Sequence, residues 1–266
     1  MKDKNVLVVE TIDVHGIAVE IARGGSGPTL LYLHDGDGVE QANPFLNRLA
    51  ATFAVIAPSH PGFGASALPG HFSSVDDLAF FYLDLIEQLD LRDVTLVGAS
   101  FGAWLAAEIA IRSVERIARV ALVGPVGAKL NDTPDPDLTD IFSLGEADLA
   151  KALFVDPPGS PDYSKLDAET VARMTRNREG MALFAWAPTL CNPKLRWRLH
   201  RIKRPALVLR GVRDGVVPLH YAKAFAAALP DARFIEIDHA AHFAHAEQAD
   251  ACAAHVVAFA GQRGTK

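Results

Sequence analysis

The sequence predicts an α/β protein with a mostly parallel eight-stranded sheet flanked by helices and an inserted helical cap. Three observations predict it. Short apolar runs alternate with amphipathic stretches through residues 1–125 and again through 205–266. One run, Thr29–Leu33, is unbroken and apolar, the pattern of a strand covered on both faces. Between the two alternating parts, residues 126–204 lose the strand rhythm and read as helical and irregular, so the core is 1–125 plus 205–266 and the cap is 126–204.

The elements follow in order. Strands are expected at Asn5–Ile12 and Gly16–Ala22, joined through Asp13-Val14-His15-Gly16 in a hairpin-like arrangement. The turn Gly24–Pro28 leads to Thr29–Leu33; Pro44–Thr52 reads as a helix and Phe53–Ala57 as the next strand. Ser74-x-x-Asp77 resembles a capping box opening a helix through Leu89. Strand Val94–Val97, helix Ser100–Ser113 and strand Ile117–Val123 come next, and Gly124-Pro125 breaks the rhythm. It resumes with strand Pro205–Arg210, helix Tyr221–Leu229, strand Arg233–Ile237 and a last helix at 246–259.

Composition narrows the function classes. The 266 residues are half hydrophobic and carry 26 Lys+Arg against 32 Asp+Glu, a net charge of −6, which argues against nucleic acid as partner. No apolar stretch reaches the roughly 18 residues that span a bilayer. The first residues lack the apolar core of a signal peptide. Two cysteines, Cys191 and Cys252, make no disulfide framework and fit a reducing compartment. The expectation is a cytoplasmic protein, monomer or homodimer, acting on a small-molecule substrate without nucleic acid or membrane partner.

Residues 98–102 read Gly-Ala-Ser-Phe-Gly between an apolar run and a helix-like run. A serine hydroxyl becomes a useful nucleophile when a base takes its proton and a rigid turn presents it; this is the strand–turn–helix setting of a nucleophile elbow. The base is a histidine held by a carboxylate. Asp214 follows strand 205–210, and His239 and His242 follow strand 233–237, so all lie at the carboxyl edge where open α/β sheets bind ligands. His239 is the rival to His242 within one loop, and Asp238 sits too near its own strand to serve as the acid. The order Ser100, Asp214, His242 is that of an α/β-hydrolase.

The chain resembles the α/β-hydrolase fold superfamily, as a serine hydrolase with a helical cap, over its whole length. The resemblance rests on His34-Asp35-Gly36, Pro61–Ser66, Gly98–Gly102, and Gly211–Pro218 with His242–Glu247. It implies catalytic Ser100, Asp214 and His242, the last favoured by Glu247 five residues on. It implies an oxyanion hole from the N–H groups of Phe101 and Gly36, with Asp35, where the family usually has glycine, as the alternative second donor. His60 stands where relatives carry aspartate and is expected to make a structural hydrogen bond beneath that loop. His34, Asp35, Phe184, Trp186 and Phe243 are candidate pocket residues, with Met181 and Leu183 nearby.

No cofactor or metal is expected. His239, His242 and His245 are spaced by three but lack a zinc pattern, and Asp35–Gly38 lacks the other ligands of a calcium loop. The basic stretch Lys194–Arg204 reads as a solvated return from cap to core, with an anionic substrate as its functional alternative. Carboxylic ester or lactone hydrolysis through an acyl-enzyme on Ser100 is the expected reaction. The alternatives are hydrolysis of a carbon–carbon bond in ring-cleavage products, for which Ala99, Phe101 and Phe243 depart from the usual residues, and a small-molecule receptor that keeps an intact triad.

Overall fold

The computed structural model describes residues 7–159 and 162–261. Asn5 and Val6 of the expected first strand, and Ser160 and Pro161 of the irregular middle stretch, lie outside the described residues. Strand β1 (Val8–Val14) turns through His15 and Gly16 into β2 (Ile17–Gly24). Both turn residues have positive φ, 47° and 84°, the left-handed geometry of a two-residue hairpin whose twist suits the flanking strands. Then come β3 (Thr29–Leu33), α1 (Asn43–Leu49), β4 (Ala54–Pro58), α2 (Val75–Gln88), β5 (Val94–Ala99), α3 (Phe101–Arg112) and β6 (Ile117–Val123). The Ser74–Asp77 capping box is present in both directions and starts α2.

The segment between the sixth strand and the return to the sheet holds β7 (Gly127–Ala128), α4 (Glu146–Leu153), α5 (Ala168–Ala185) and β8 (Cys191–Asn192). Strand β9 (Ala206–Gly211), α6 (Leu219–Ala227), β10 (Ala232–Ile237), α7 (Ala244–Glu247) and α8 (Ala249–Ala260) complete the chain. The expected last helix is thus two, broken at Gln248, whose side chain donates to the carbonyl of His239 instead. The paired two-residue strands β7 and β8 are too short to leave a pattern in the sequence.

Eight strands form one sheet in the order β1-β2-β4-β3-β5-β6-β9-β10. Strand β2 is antiparallel to both neighbours, and the pairs from β4 to β10 are parallel. Every residue of β5 and β9 is buried, which explains their uninterrupted apolar reading. On one face α2, α3 and α6 supply Leu78, Leu105, Tyr221 and Phe225; on the other α1 and α8 supply Phe45, Leu49, Val256 and Phe259. Each such buried side chain contributes about 1.5–3 kcal/mol relative to exposure. The two cores fix the strand ends, and the strand ends fix the loops at the sheet's carboxyl edge.

The segment from β6 to β9 lies across those loops and is tied down at several points. Phe243 N–H donates to the Leu153 carbonyl, Gly215 N–H to Ala152, and Val155 N–H to Glu247. Asn177 of α5 donates to the Asp37 carbonyl and accepts from Gly64 N–H. Arg173, also on α5, makes a bidentate pair with Glu20 of β2. Among the described residues no helix is long and apolar enough to cross a membrane.

Candidate active site

Ser100 joins β5 to α3 with φ 50° and ψ −113°, a strained conformation for a residue with a Cβ. The surrounding packing holds it there. Its N–H donates to the Val123 carbonyl of β6. A Cβ on Gly98 would lie 2.2 Å from the Gly102 oxygen, and one on Gly102 would lie 2.0 Å from the Leu33 oxygen. Both glycines of G-x-S-x-G are therefore required by backbone contact.

Ser100 Oγ donates to His242 Nε2 at 2.7 Å, and His242 Nδ1 donates to Asp214, 3.1 Å from each carboxylate oxygen. All three side chains are buried, Ser100 with 9% of its surface exposed. Asp214 Oδ1 also accepts the N–H groups of Val216 and Val217, which aims the carboxylate. Arg210, at the end of β9, holds that loop by donating to the carbonyls of Val217 and Asp214. Glu247 accepts from Ala241 N–H as well as Val155 N–H, bracing the loop that carries His242. His239, the rival in that loop, has no place in the Ser100–Asp214 chain of hydrogen bonds. Such a chain can pass the serine proton to imidazole while the carboxylate stabilises the imidazolium.

Above Ser100 and His242 is a cavity of about 400 Å³. Its walls are mostly apolar, with Ile141, Phe142, Leu149, Leu153, Phe154 and Met181 among them. Gly36 and Phe243 line it too. Phe101 is buried beneath, at the first position of α3, where a helix leaves its N–H without an intrahelical acceptor.

Four expected pocket residues do not line this cavity. His34 and Asp35 are wholly buried under its floor, because the chain leaving β3 dips into the core before Gly36 emerges. His34 instead stacks on His60, with ring centroids 3.6 Å apart. Phe184 faces the core from α5 and stacks on Phe63 at 6.3 Å. Trp186 caps the end of α5, 59% exposed, its ring against the outer side of Phe142. Leu183 is exposed; Met181 does reach the cavity.

His60 makes the hydrogen bonds expected beneath the loop. Its N–H donates to His34 Nε2, its Nε2 donates to the His34 carbonyl, and its Nδ1 accepts from Tyr82. The basic stretch faces elsewhere: Arg201 and Arg204 donate to carbonyls of Ile111 and Val114, and Arg196 to those of Leu130 and Asn131.

Sequence reasoning missed Asp37, Glu146 and Arg178, which line the cavity. Asp37 was hidden in a glycine-rich turn. Asp37 is exposed at the cavity lining, yet protein packed around its carboxyl, with the Asp35 carboxylate beside it, pushes it up to about 7 against the pull of Arg178. No group of three or more His, Cys, Asp or Glu among the described residues is arranged to hold a metal ion.

The chain belongs to the alpha/beta hydrolase family, whose profile matches residues 14–255. It is similar to a dihydrolipoyllysine-residue acetyltransferase component of the acetoin cleaving system from Cupriavidus necator, 28% identical over 254 residues. That match covers 90% of this chain and 65% of the Cupriavidus protein, so the chain spans somewhat less than two thirds of that relative's length. A 2-hydroxymuconate semialdehyde hydrolase of Pseudomonas sp. strain CF600 is 26% identical over 252 residues, covering 86% of this chain and 88% of that one. Among solved structures, a 2-hydroxy-6-oxo-6-phenylhexa-2,4-dienoate hydrolase from Rhodococcus sp. strain RHA1 superposes with a TM-score of 0.77 at 22% identity, over 96% and 99% of the two chains. Structural neighbours also include a meta-cleavage product hydrolase and a carboxylesterase.

Proposed function

We propose that this protein is a serine hydrolase that cleaves a small carboxylic ester or lactone through an acyl-enzyme on Ser100. The observation that carries the reading is the Ser100–His242–Asp214 chain of hydrogen bonds at the floor of an apolar cavity. His242 takes the Oγ proton as Ser100 attacks the ester carbonyl. The N–H groups of Phe101 and Gly36 receive the oxyanion, each worth roughly 3–4 kcal/mol to such a transition state. Gly36 rather than Asp35 is favoured as second donor, because Gly36 borders the cavity and Asp35 is buried away from it. Asp214 stabilises the imidazolium, His242 protonates the departing alcohol, and water repeats the sequence on the acyl-enzyme. In this reading residues 126–204 act as a cap that supplies the cavity walls. We also place the protein in the cytoplasm, on two free thiols that suit a reducing compartment.

A second reading, hydrolysis of a carbon–carbon bond, is favoured by the similarity to 2-hydroxymuconate semialdehyde hydrolase over most of both chains. Exposure to a fluorophosphonate, read by intact mass and peptide mapping beside Ser100→Ala, tests the nucleophile, with short-chain p-nitrophenyl ester turnover in parallel. A single adduct on Ser100 with turnover is the expected result. Labelling without turnover shifts the weight to the second reading or to a receptor, and absence of labelling in folded protein overturns the mechanism.

A further inference from the structure

We propose that Asp37 sets the charge selectivity of the cavity, so that Ser100 serves esters with a neutral acyl group and rejects those whose acyl group ends in a carboxylate. The inference rests on the reading of the protein as an ester hydrolase and names its substrate class.

The cavity offers few polar groups. Beyond Ser100 and His242 they are Asp37 on the loop after β3, Glu146 at the start of α4 and Arg178 on α5. The two carboxylates outnumber the single guanidinium, and His242 is neutral while Nε2 accepts from Ser100. Asp37 follows Gly36, the proposed oxyanion donor, and lines the same cavity.

Its position is fixed from both sides. The Asp37 N–H donates to Asp35 Oδ1 at 2.8 Å, and its carbonyl accepts from Asn177 Nδ2 at 2.7 Å. Asp35 adds a second, wholly buried carboxylate directly behind it. Arg178 reaches outward: its Nη2 donates at 3.3 Å to the hydroxyl of Tyr163, a residue 44% exposed and not part of the cavity lining. It does not form a salt bridge with Asp37 within 4.0 Å. A carboxylate in this cavity therefore meets Asp37 and Glu146 as well as Arg178, on a mostly apolar surface that leaves the net balance of charge unfavourable to an anion.

Because its carboxyl titrates at about 7, Asp37 turns selectivity into a function of pH. Above that value it is ionised and repels an anionic acyl group. Below it the protonated carboxyl no longer does. Asp35 raises the midpoint and Arg178 lowers it; Glu146 and His242 are the other titratable groups facing the cavity.

The test compares kcat/KM for ethyl butyrate and monoethyl succinate, similar in length and different in charge, from about pH 6 to about pH 8. Titration of His242 affects both esters alike and cancels in the ratio. The wild type is expected to prefer the butyrate about tenfold or more near pH 8, with the preference shrinking on acidification around a midpoint near 7. Asp37→Asn should flatten that profile and reduce the preference near pH 8, and Arg178→Gln should increase it. A wild-type ratio that is near one, or that does not change with pH, overturns the proposal even if Asp37→Asn fails to fold. So does an Asp37→Asn ratio equal to that of the wild type. Failure of the underlying reading looks different: neither ester is turned over, or Ser100→Ala retains the activity, and the proposal then falls with it.

Discussion

Asp35 Oδ2 lies 2.9 Å from His245 Nε2, and neither side chain has any exposed surface. The pair joins the loop after β3 to α7, three residues beyond His242. The rings of Tyr32, Phe45 and Phe243 pack around the imidazole. Asp35 also accepts the Asp37 N–H, so one buried carboxylate couples the loop after β3 to the loop that carries His242.

Removing either partner leaves a polar or charged group stranded in the core. Asp35→Ala and His245→Ala should each cost about 3 kcal/mol or more, lowering the Tm by about 6–12 °C in a chain of this size. Asp35→Ala should in addition lower kcat further than His245→Ala, because it alone releases the Asp37 N–H. Thermal unfolding and ester turnover measured on the same preparations check both statements. A Tm within about 2 °C of wild type for either variant would show that the pair contributes nothing.

His34 and His60 are neutral by construction. His60 donates through Nε2 and accepts through Nδ1, and His34 Nε2 accepts the His60 N–H, so neither has a free site for a second proton. Burial holds His34 below its usual range; for His60 burial, reinforced by neighbouring His34, does so more strongly. In the unfolded chain both titrate near 6.5. As pH falls below that value the unfolded state takes up protons that the folded state refuses, so stability drops. Each group contributes a slope of up to about 1.4 kcal/mol per pH unit between its folded and unfolded values. Asp37 opposes them: raised to about 7, it binds its proton more tightly when folded, and stability rises on acidification through that window. Denaturant unfolding between about pH 5 and about pH 7.5 should therefore show His60→Asn with a shallower acid loss than wild type. An unchanged slope would mean that His60 is protonated in the folded state.

What could be read from the sequence was local. Gly98, Ser100 and Gly102 announce themselves because backbone contacts within one turn dictate all three. Asp214 and His242 were legible because each directly follows an apolar strand, and a parallel sheet gathers its carboxyl ends on one edge. The cavity was not legible in the same way. Its walls come from Ile141–Phe154 and Arg178–Leu190, brought together only by how α4 and α5 lie over the sheet. Met181 and Phe184 are one turn apart on α5 and equally apolar, yet one faces the cavity and the other packs on Phe63. His34 and Asp35 misled for the opposite reason. They follow a strand as Asp214 does, but nothing in their types reveals that the chain stays buried until Gly36.

Asp214→Asn separates the carboxylate's charge from its shape. The asparagine oxygen can still accept the Val216 and Val217 N–H groups that now reach Oδ1, so the loop after β9 should keep its form and the Tm should move little. The amide nitrogen then faces His242 Nδ1 and donates to it, which forces the imidazole proton onto Nε2. In that tautomer Nε2 cannot accept from Ser100, and no negative charge stabilises an imidazolium. The expected result is a fall in kcat of about 10³–10⁴ with KM nearly unchanged, and a parallel loss in the rate of fluorophosphonate labelling. Asp214→Ala, by contrast, should also lose stability, since two buried N–H groups lose their acceptor. An Asp214→Asn enzyme that kept more than about a tenth of the wild-type kcat would mean that His242 does not depend on Asp214 for its tautomer, and the proton path drawn from Ser100 would have to be redrawn.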